Sequence, residues 1–201
     1  MTNEMEYLTT RDGKKINYKT INEQGKIGVI LLHRLNQDMN SWNGFDAELG
    51  RQGFAVIKID LRGHGKSEGK WQDFSETDFQ KMELDAEAAI QRLGKTRNVI
   101  IGESIGANTA LNTLKNNNAT IAVLLSPGIN YKGIISNNNT KKPVLIIASQ
   151  EDEYSFQSSQ KINETLKGKH EFFAVQNKGH GTQMLDEKLE NKIIEWIKTN
   201  V

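Results

Sequence analysis

Val99-Ile100-Ile101-Gly102-Glu103-Ser104-Ile105-Gly106-Ala107-Asn108-Thr109-Ala110-Leu111 runs from an apolar, β-branched segment through Gly-x-Ser-x-Gly into an alanine-rich helical pattern. A strand that turns sharply into a helix at a serine pushes the hydroxyl out above the sheet. Glycines on either side remove Cβ atoms where strand and helix come close. The helix start adds free backbone N–H groups and a positive dipole end, which favour an oxyanion beside the serine. The stretch therefore predicts Ser104 as a nucleophile on a strand–turn–helix unit. The bland alternative is a glycine-rich turn.

The surrounding chain carries the same alternation. Two short strands within residues 5–20 flank Arg11-Asp12-Gly13-Lys14, where Asp-Gly signals a hairpin. Gly28-Val29-Ile30-Leu31-Leu32-His33 is apolar throughout, as suits a strand covered on both faces. A helix is expected from Met39 to Gln52, then a strand Phe54–Asp60 and a helix over residues 76–93 with apolar positions at Phe79, Met82, Ala86, Ala89, Ile90 and Leu93. Ile121–Leu125 and Pro143–Ser149 read as strands, and 130–142 as a polar surface loop. Phe156–Leu166 follows as a helix, His170–Val175 as a strand and Met184–Ile197 as a final amphipathic helix. The clusters Asn116-Asn117-Asn118 and Asn137-Asn138-Asn139 read as loops. Alternation of this kind implies a three-layer α/β/α sandwich. Its sheet should be mostly parallel and twisted, of about 7–8 strands. Residues 1–201 are expected to form a single domain without a lid.

Composition narrows the chemistry. The net charge is +1 with no basic stripe, so neither nucleic acid nor an anionic membrane surface is expected as a partner. With no cysteine, disulfides, a thiol nucleophile and cysteine-ligated metal are excluded. The four histidines show no metal-binding spacing, so no metal is expected. The start Met1-Thr2-Asn3-Glu4-Met5-Glu6 lacks an apolar signal region, and no run approaches a membrane span. The expectation is a soluble cytoplasmic protein, monomer or homodimer.

A serine hydroxyl needs a base, and the base needs a third group to hold its tautomer. Open parallel sheets present functional groups at the carboxyl ends of their strands. After the strand ending at Ser149, the loop Gln150-Glu151-Asp152-Glu153 offers three carboxylates. Asp152 is the first choice, because a short, stiff carboxylate three residues past the strand can turn back over the sheet. Glu151 and Glu153 remain alternatives. His180 lies in Gly179-His180-Gly181, where glycines allow a tight turn that presents the ring. The order Ser104, Asp152, His180 suits the triad, whereas His170, at a strand start, reads as a surface residue. The amide of Ile105 is the first oxyanion donor, and the amide of Leu35, in the loop after the early buried strand, is the second. His33 is expected to bond within that loop.

Asp60-Leu61-Arg62-Gly63-His64-Gly65-Lys66-Ser67 invites a phosphate-loop reading. It lacks the Walker spacing, and no helix opens directly on it. It reads instead as a tight turn whose Asp60, Arg62 and His64 bond to each other or to backbone. Arg34, Trp42 and Trp71 are candidates for lining a substrate pocket; the bland reading of the tryptophans is core or helix face.

Taken together, His33-Arg34-Leu35, Asp60 through Ser67, Gly102-Glu103-Ser104-Ile105-Gly106, Ser149-Gln150-Glu151-Asp152 and Gly179-His180-Gly181 resemble the α/β-hydrolase superfamily across nearly the whole chain. The resemblance implies a serine hydrolase with Ser104 as nucleophile, Asp152 as acid, His180 as base, and the amides of Leu35 and Ile105 as oxyanion hole. It looks like the compact, cap-less esterases and dienelactone-hydrolase-like proteins. Dienelactone hydrolases proper use a cysteine, which this chain lacks. Arg34 stands where the family usually has glycine; it narrows the entrance, draws an acidic substrate or points to solvent. The short connection between Leu125 and Pro143 predicts an open, shallow site. The expected activity is hydrolysis of small or short-chain carboxylic esters through an acyl-enzyme, without a cofactor. A thioesterase, amidase or perhydrolase on the same machinery, and a non-catalytic binding protein of this fold, are the alternatives.

Overall fold

The structure is a computed structural model that describes residues 6–115, 119–176 and 179–201. Met1–Met5, the expected Asn116-Asn117-Asn118 loop, and Asn177-Lys178 lie outside the described residues.

The described residues form ten strands and six α-helices. The strands are β1 (Glu6–Thr9), β2 (Lys15–Ile21), β3 (Ile27–Leu32), β4 (Ala55–Ile59), β5 (Arg97–Glu103), β6 (Ile121–Leu125), β7 (Asn130–Tyr131), β8 (Ile134–Ile135), β9 (Val144–Ser149) and β10 (His170–Val175). The helices are α1 (Phe45–Arg51), α2 (Glu76–Gln80), α3 (Met82–Leu93), α4 (Ile105–Thr113), α5 (Glu153–Thr165) and α6 (Glu187–Asn200). Eight strands form one sheet in the order β1-β2-β4-β3-β5-β6-β9-β10. β1 pairs antiparallel with β2, and β2 with β4; the remaining pairs are parallel.

Strands β3 and β6 are apolar throughout, and β5 is apolar over Val99–Ile101, because both faces of the sheet are covered there. Ile30, Leu32 and Ile100 point into a core shared with Ala86 and Ala89 of α3, Ile105, Ala107 and Leu111 of α4, and Ile162 of α5. Val29, Leu31, Val99 and Ile101 point the other way, against Phe45 and Leu49 of α1 and Leu189, Ile193 and Ile197 of α6. These are the three layers expected.

Several boundaries differ from expectation for local reasons. The helix expected from Met39 begins at Phe45, because Asn43 and Gly44 take left-handed backbone (φ 52° and 92°) that a helix cannot include. Residues 76–93 form two helices. Ser75 and Asp78 close a capping box on α2, and Lys81 ends α2 and starts α3. Helix α5 starts at Glu153, directly after Asp152, and the last helix starts at Glu187, capped by the Asp186 side chain. The supposed loop 130–142 opens with the hairpin β7–β8. Among the described residues, nothing larger stands between β6 and β9.

The Asp60–Ser67 segment is a tight turn, as expected; Asp60 and His64 bond to backbone, His64 Nδ1 to the Arg62 carbonyl at 2.9 Å, whereas Arg62 reaches carboxylates of other elements. Asp60 accepts from the amides of Met39 and Lys66 and from Asn17 Nδ2, at 2.8 Å each. Arg62 donates to buried Asp85 at 2.8–2.9 Å and to Asp12 at 2.9–3.1 Å, tying the first hairpin to α3. The guanidinium holds Asp12 down to about 2.

Candidate active site

Ser104 sits between β5 and α4 with φ 55° and ψ −119°, a backbone conformation unfavourable for a residue with a Cβ. The neighbours enforce it. A Cβ at Gly102 would collide with the Gly106 carbonyl, and one at Gly106 with the Leu32 carbonyl. β5, α4 and β3 can close on one another only because both positions are glycine. The Ser104 amide donates to Leu125 O at 2.8 Å, which anchors the turn to β6.

Asp152 caps the start of α5, three residues past β9. His180 lies beyond β10, in the turn that enters a short 3₁₀ segment, Gly181–Met184. The two are joined by a 2.5 Å bond from His180 Nδ1 to Asp152 Oδ2, with both side chains partly screened from water. The carboxylate thus fixes the proton on Nδ1 and leaves Nε2 as acceptor. Of the alternatives, Glu151 accepts from the Ser149 hydroxyl, Glu153 accepts from Gln157, and both are exposed. His170 Nδ1 bonds the Gly168 carbonyl at 2.7 Å, far along the sheet edge at the start of β10.

The His180 turn is held from several sides. Arg34 Nη1 donates to the His180 carbonyl at 3.0 Å, so the residue standing in place of the usual glycine braces the histidine. The Gly181 amide donates to Ser126 Oγ, and the Thr182 amide to Glu103 Oε2, both at 2.9 Å. Glu103 is fully buried and also accepts from the Ser41 hydroxyl at 2.9 Å. Sequence alone pointed to neither Glu103 nor Ser126. Glu103 is a variable position of the Gly-x-Ser-x-Gly motif, and Ser126 merely follows the end of β6.

No bond from the Ser104 hydroxyl to the His180 ring occurs among the described hydrogen bonds. The Ser104 side chain stands instead beside the Tyr131 hydroxyl.

The amides of Leu35 and Ile105 have no hydrogen-bond partner among the described residues. Both stand at the carboxyl end of the sheet, Leu35 just past β3 and Ile105 as the first residue of α4. His33 keeps the first loop in shape, with Nδ1–H donating to Arg34 O at 2.7 Å and Nε2 accepting from the Leu61 amide at 2.9 Å. Complete burial pushes its pKa down to about 4, so it stays neutral.

Trp42 does not line a pocket. It is fully buried in the core formed with Phe45 and Leu49, whose spacing from it matches one face of a helix. Trp71 stays partly exposed, stacks on His64 at 5.9 Å and separates two hollows. One, about 330 Å³, is lined by Asn36, Gln37, Asp38 and His64 beside the Leu35 loop. The other, about 160 Å³, is lined by Phe74, Phe79 and Lys132 beside the β7–β8 hairpin. A larger hollow of about 640 Å³, around Asn112, Lys115 and Asn137, sits at the far end of α4 from Ser104. Among the described residues there is no cluster of acidic, histidine or cysteine side chains able to hold a metal ion. Nor is any helix among them long and apolar enough to cross a membrane.

Comparison with known proteins identifies the family and the fold. The profile of the family described as serine aminopeptidase, S33, matches residues 24–136. A bifunctional esterase/perhydrolase of Acinetobacter calcoaceticus is 29% identical over 102 residues, 51% of this chain and 36% of that enzyme. The match thus spans only about a third of that relative's length. Among solved structures, a thermophilic esterase from Thermogutta terrifontis superposes with a TM-score of 0.82 at 16% identity, covering 98% of both chains. An esterase from Exiguobacterium antarcticum gives 0.78 at 18% identity, covering 97% of this chain and 100% of that one. At such identities the superpositions establish the α/β-hydrolase fold.

Proposed function

The chain belongs to the S33 serine aminopeptidase family of hydrolases, and from that we propose that it cleaves small carboxylic esters through Ser104, His180 and Asp152. The observation that carries the proposal is the 2.5 Å Asp152–His180 bond at the same sheet edge as a serine held at φ 55°. Ser104 Oγ attacks the acyl carbonyl while His180 Nε2 takes its proton. Asp152 holds the Nδ1–H tautomer and stabilises the imidazolium. The amides of Leu35 and Ile105 receive the oxyanion, within the positive end of α4. His180 then returns the proton to the leaving alcohol. A water, deprotonated by the same nitrogen, releases the acid from the acyl-enzyme.

The short β6–β9 connection favours small substrates, since the described chain puts only a hairpin over that side of the site. Trp71 is the proposed pocket wall. The esterase neighbours support ester chemistry over the amide chemistry in the family's description. The remaining proposal is a soluble, cytoplasmic, single-domain enzyme.

Labelling with a fluorophosphonate probe, with p-nitrophenyl acetate hydrolysis followed in parallel, tests the reading. Stoichiometric labelling and turnover that both vanish in Ser104→Ala are expected. Well-folded wild-type protein that takes no label would overturn it and favour a binding protein of this fold. Turnover of matched ester, thioester and amide substrates ranks the leaving groups.

A further inference from the structure

Tyr131 is a residue that the reaction sequence above leaves unused. It closes β7 (Asn130–Tyr131), a strand of two residues with no pattern to reveal it, and is followed by a tight turn through Lys132 (φ 52°) and Gly133 (φ 84°). Its hydroxyl is 3.0 Å from Ser155 Oγ, donates at 3.4 Å to the Ser126 carbonyl and stands beside the Ser104 side chain. Ser155 Oγ in turn is 3.5 Å from His180 Nδ1. The phenol thus stands among the same groups that hold the serine and the histidine.

The placement is built. Asn108, fully buried on α4, donates to the carbonyls of Gly128 and Ile134 at 2.9 and 2.8 Å and accepts from the Gly128 amide at 3.0 Å. The hairpin is therefore tied to α4, the helix that follows Ser104. The Tyr131 ring packs over Gly128, where a Cβ would strike it at 2.7 Å, and meets Tyr154 edge-on at 5.6 Å. A ring clamped in this way points its hydroxyl with little freedom.

Sheet order says which substrate atom the hydroxyl meets. β3 and β6 flank β5 on opposite sides. Leu35 follows β3 and Tyr131 follows β6, so the two bracket the serine. The carbonyl oxygen turned toward the Leu35 and Ile105 amides leaves the other substituents of the reacting carbon on the Tyr131 side. In the tetrahedral intermediate the alkoxy oxygen is bound to the same carbon as Ser104 Oγ. The two oxygens are therefore neighbours, and a hydroxyl on this side of the serine faces the alkoxy oxygen.

We propose that the Tyr131 hydroxyl donates a hydrogen bond to the departing alkoxy oxygen, beside the proton delivered by His180. The inference rests on the serine-hydrolase reading above. The proton balance is unchanged by it: the proton that leaves Ser104 passes to His180 and then to the alcohol, while Tyr131 keeps its own. Burial raises the phenol above its ordinary range, so it remains a donor throughout the neutral region. The bond strengthens as negative charge develops on the leaving oxygen. It therefore assists poor leaving groups, such as simple alcohols, and does little for p-nitrophenol.

The test compares wild type with Tyr131→Phe, which keeps the ring and removes the hydroxyl, over acetate esters running from p-nitrophenyl through phenyl to ethyl. The kcat/KM for ethyl acetate is expected to fall about tenfold, with p-nitrophenyl acetate changed by less than about twofold, so the leaving-group dependence steepens. An equal loss across the series, or none, overturns the role, since a packing defect has no reason to follow leaving-group basicity. Fluorophosphonate labelling keeps the two readings apart. Label on both proteins with an unchanged slope overturns the Tyr131 assignment alone; no label on wild type overturns the serine reading with it.

Discussion

Glu103 accepts the Thr182 amide at 2.9 Å, so the residue preceding the elbow serine holds the turn that carries His180. The second carboxylate oxygen takes the Ser41 hydroxyl, so the group is satisfied although fully buried. A Cβ on Gly181 would run into this carboxylate, which is why the turn passes so close.

Glu103→Ala is expected to lower kcat/KM for p-nitrophenyl acetate at least tenfold and to destabilise the fold by about 1–3 kcal/mol, because it orphans a buried amide and hydroxyl. Glu103→Gln keeps an acceptor for Thr182 and should stay within about threefold of wild type. Kinetics with denaturant titration decide; equal loss in both variants would show that the charge, not the acceptor, matters.

Ser104 holds a strained backbone, so removing its Cβ should stabilise. Ser104→Gly and Ser104→Ala are both expected to be inactive, with the glycine variant the more stable by about 1 kcal/mol in urea titration. The usual order, alanine above glycine, would mean that the elbow costs nothing.

Arg62 neutralises the buried carboxylate of Asp85. Arg62→Met should cost about 3–5 kcal/mol by leaving that charge unpaired, and Arg62→Met combined with Asp85→Leu should recover most of the loss. A double-mutant cycle with no coupling would refute this account of the pair.

His33 binds its proton with a pKa of about 4 in the folded chain against 6.5 in the unfolded one. Between those values the unfolded state holds more protons. Stability is therefore full above pH 6.5 and falls as the pH is lowered toward 4, by about 3 kcal/mol over the window. Urea midpoints of wild type and His33→Gln measured across that range check it: the variant should show the shallower decline.

What the sequence disclosed and what it hid divide along physical lines. Ser104 was visible because its backbone demands glycines at fixed offsets, and a strand must precede it and a helix follow. The meeting of Asp152 with His180 was foreseeable because the loops that follow parallel strands gather at one end of the sheet. Trp42 was misplaced as a candidate pocket residue although its spacing to Phe45 and Leu49 already described a buried face. The β7–β8 hairpin is too short to carry a period, so Tyr131 lay in what read as polar loop. Glu103 was invisible for a different reason. Its partners, Ser41 and Thr182, are remote in sequence, and a buried carboxylate shows itself only when they arrive.

The sheet order makes activity a reporter of late assembly. β3 must pair with β5, and β9 with β6 and β10, before Ser104, Asp152 and His180 share one edge. In refolding from urea, hydrolysis should therefore return after the far-ultraviolet helical signal, with a lag set by the most distant pairings in the chain.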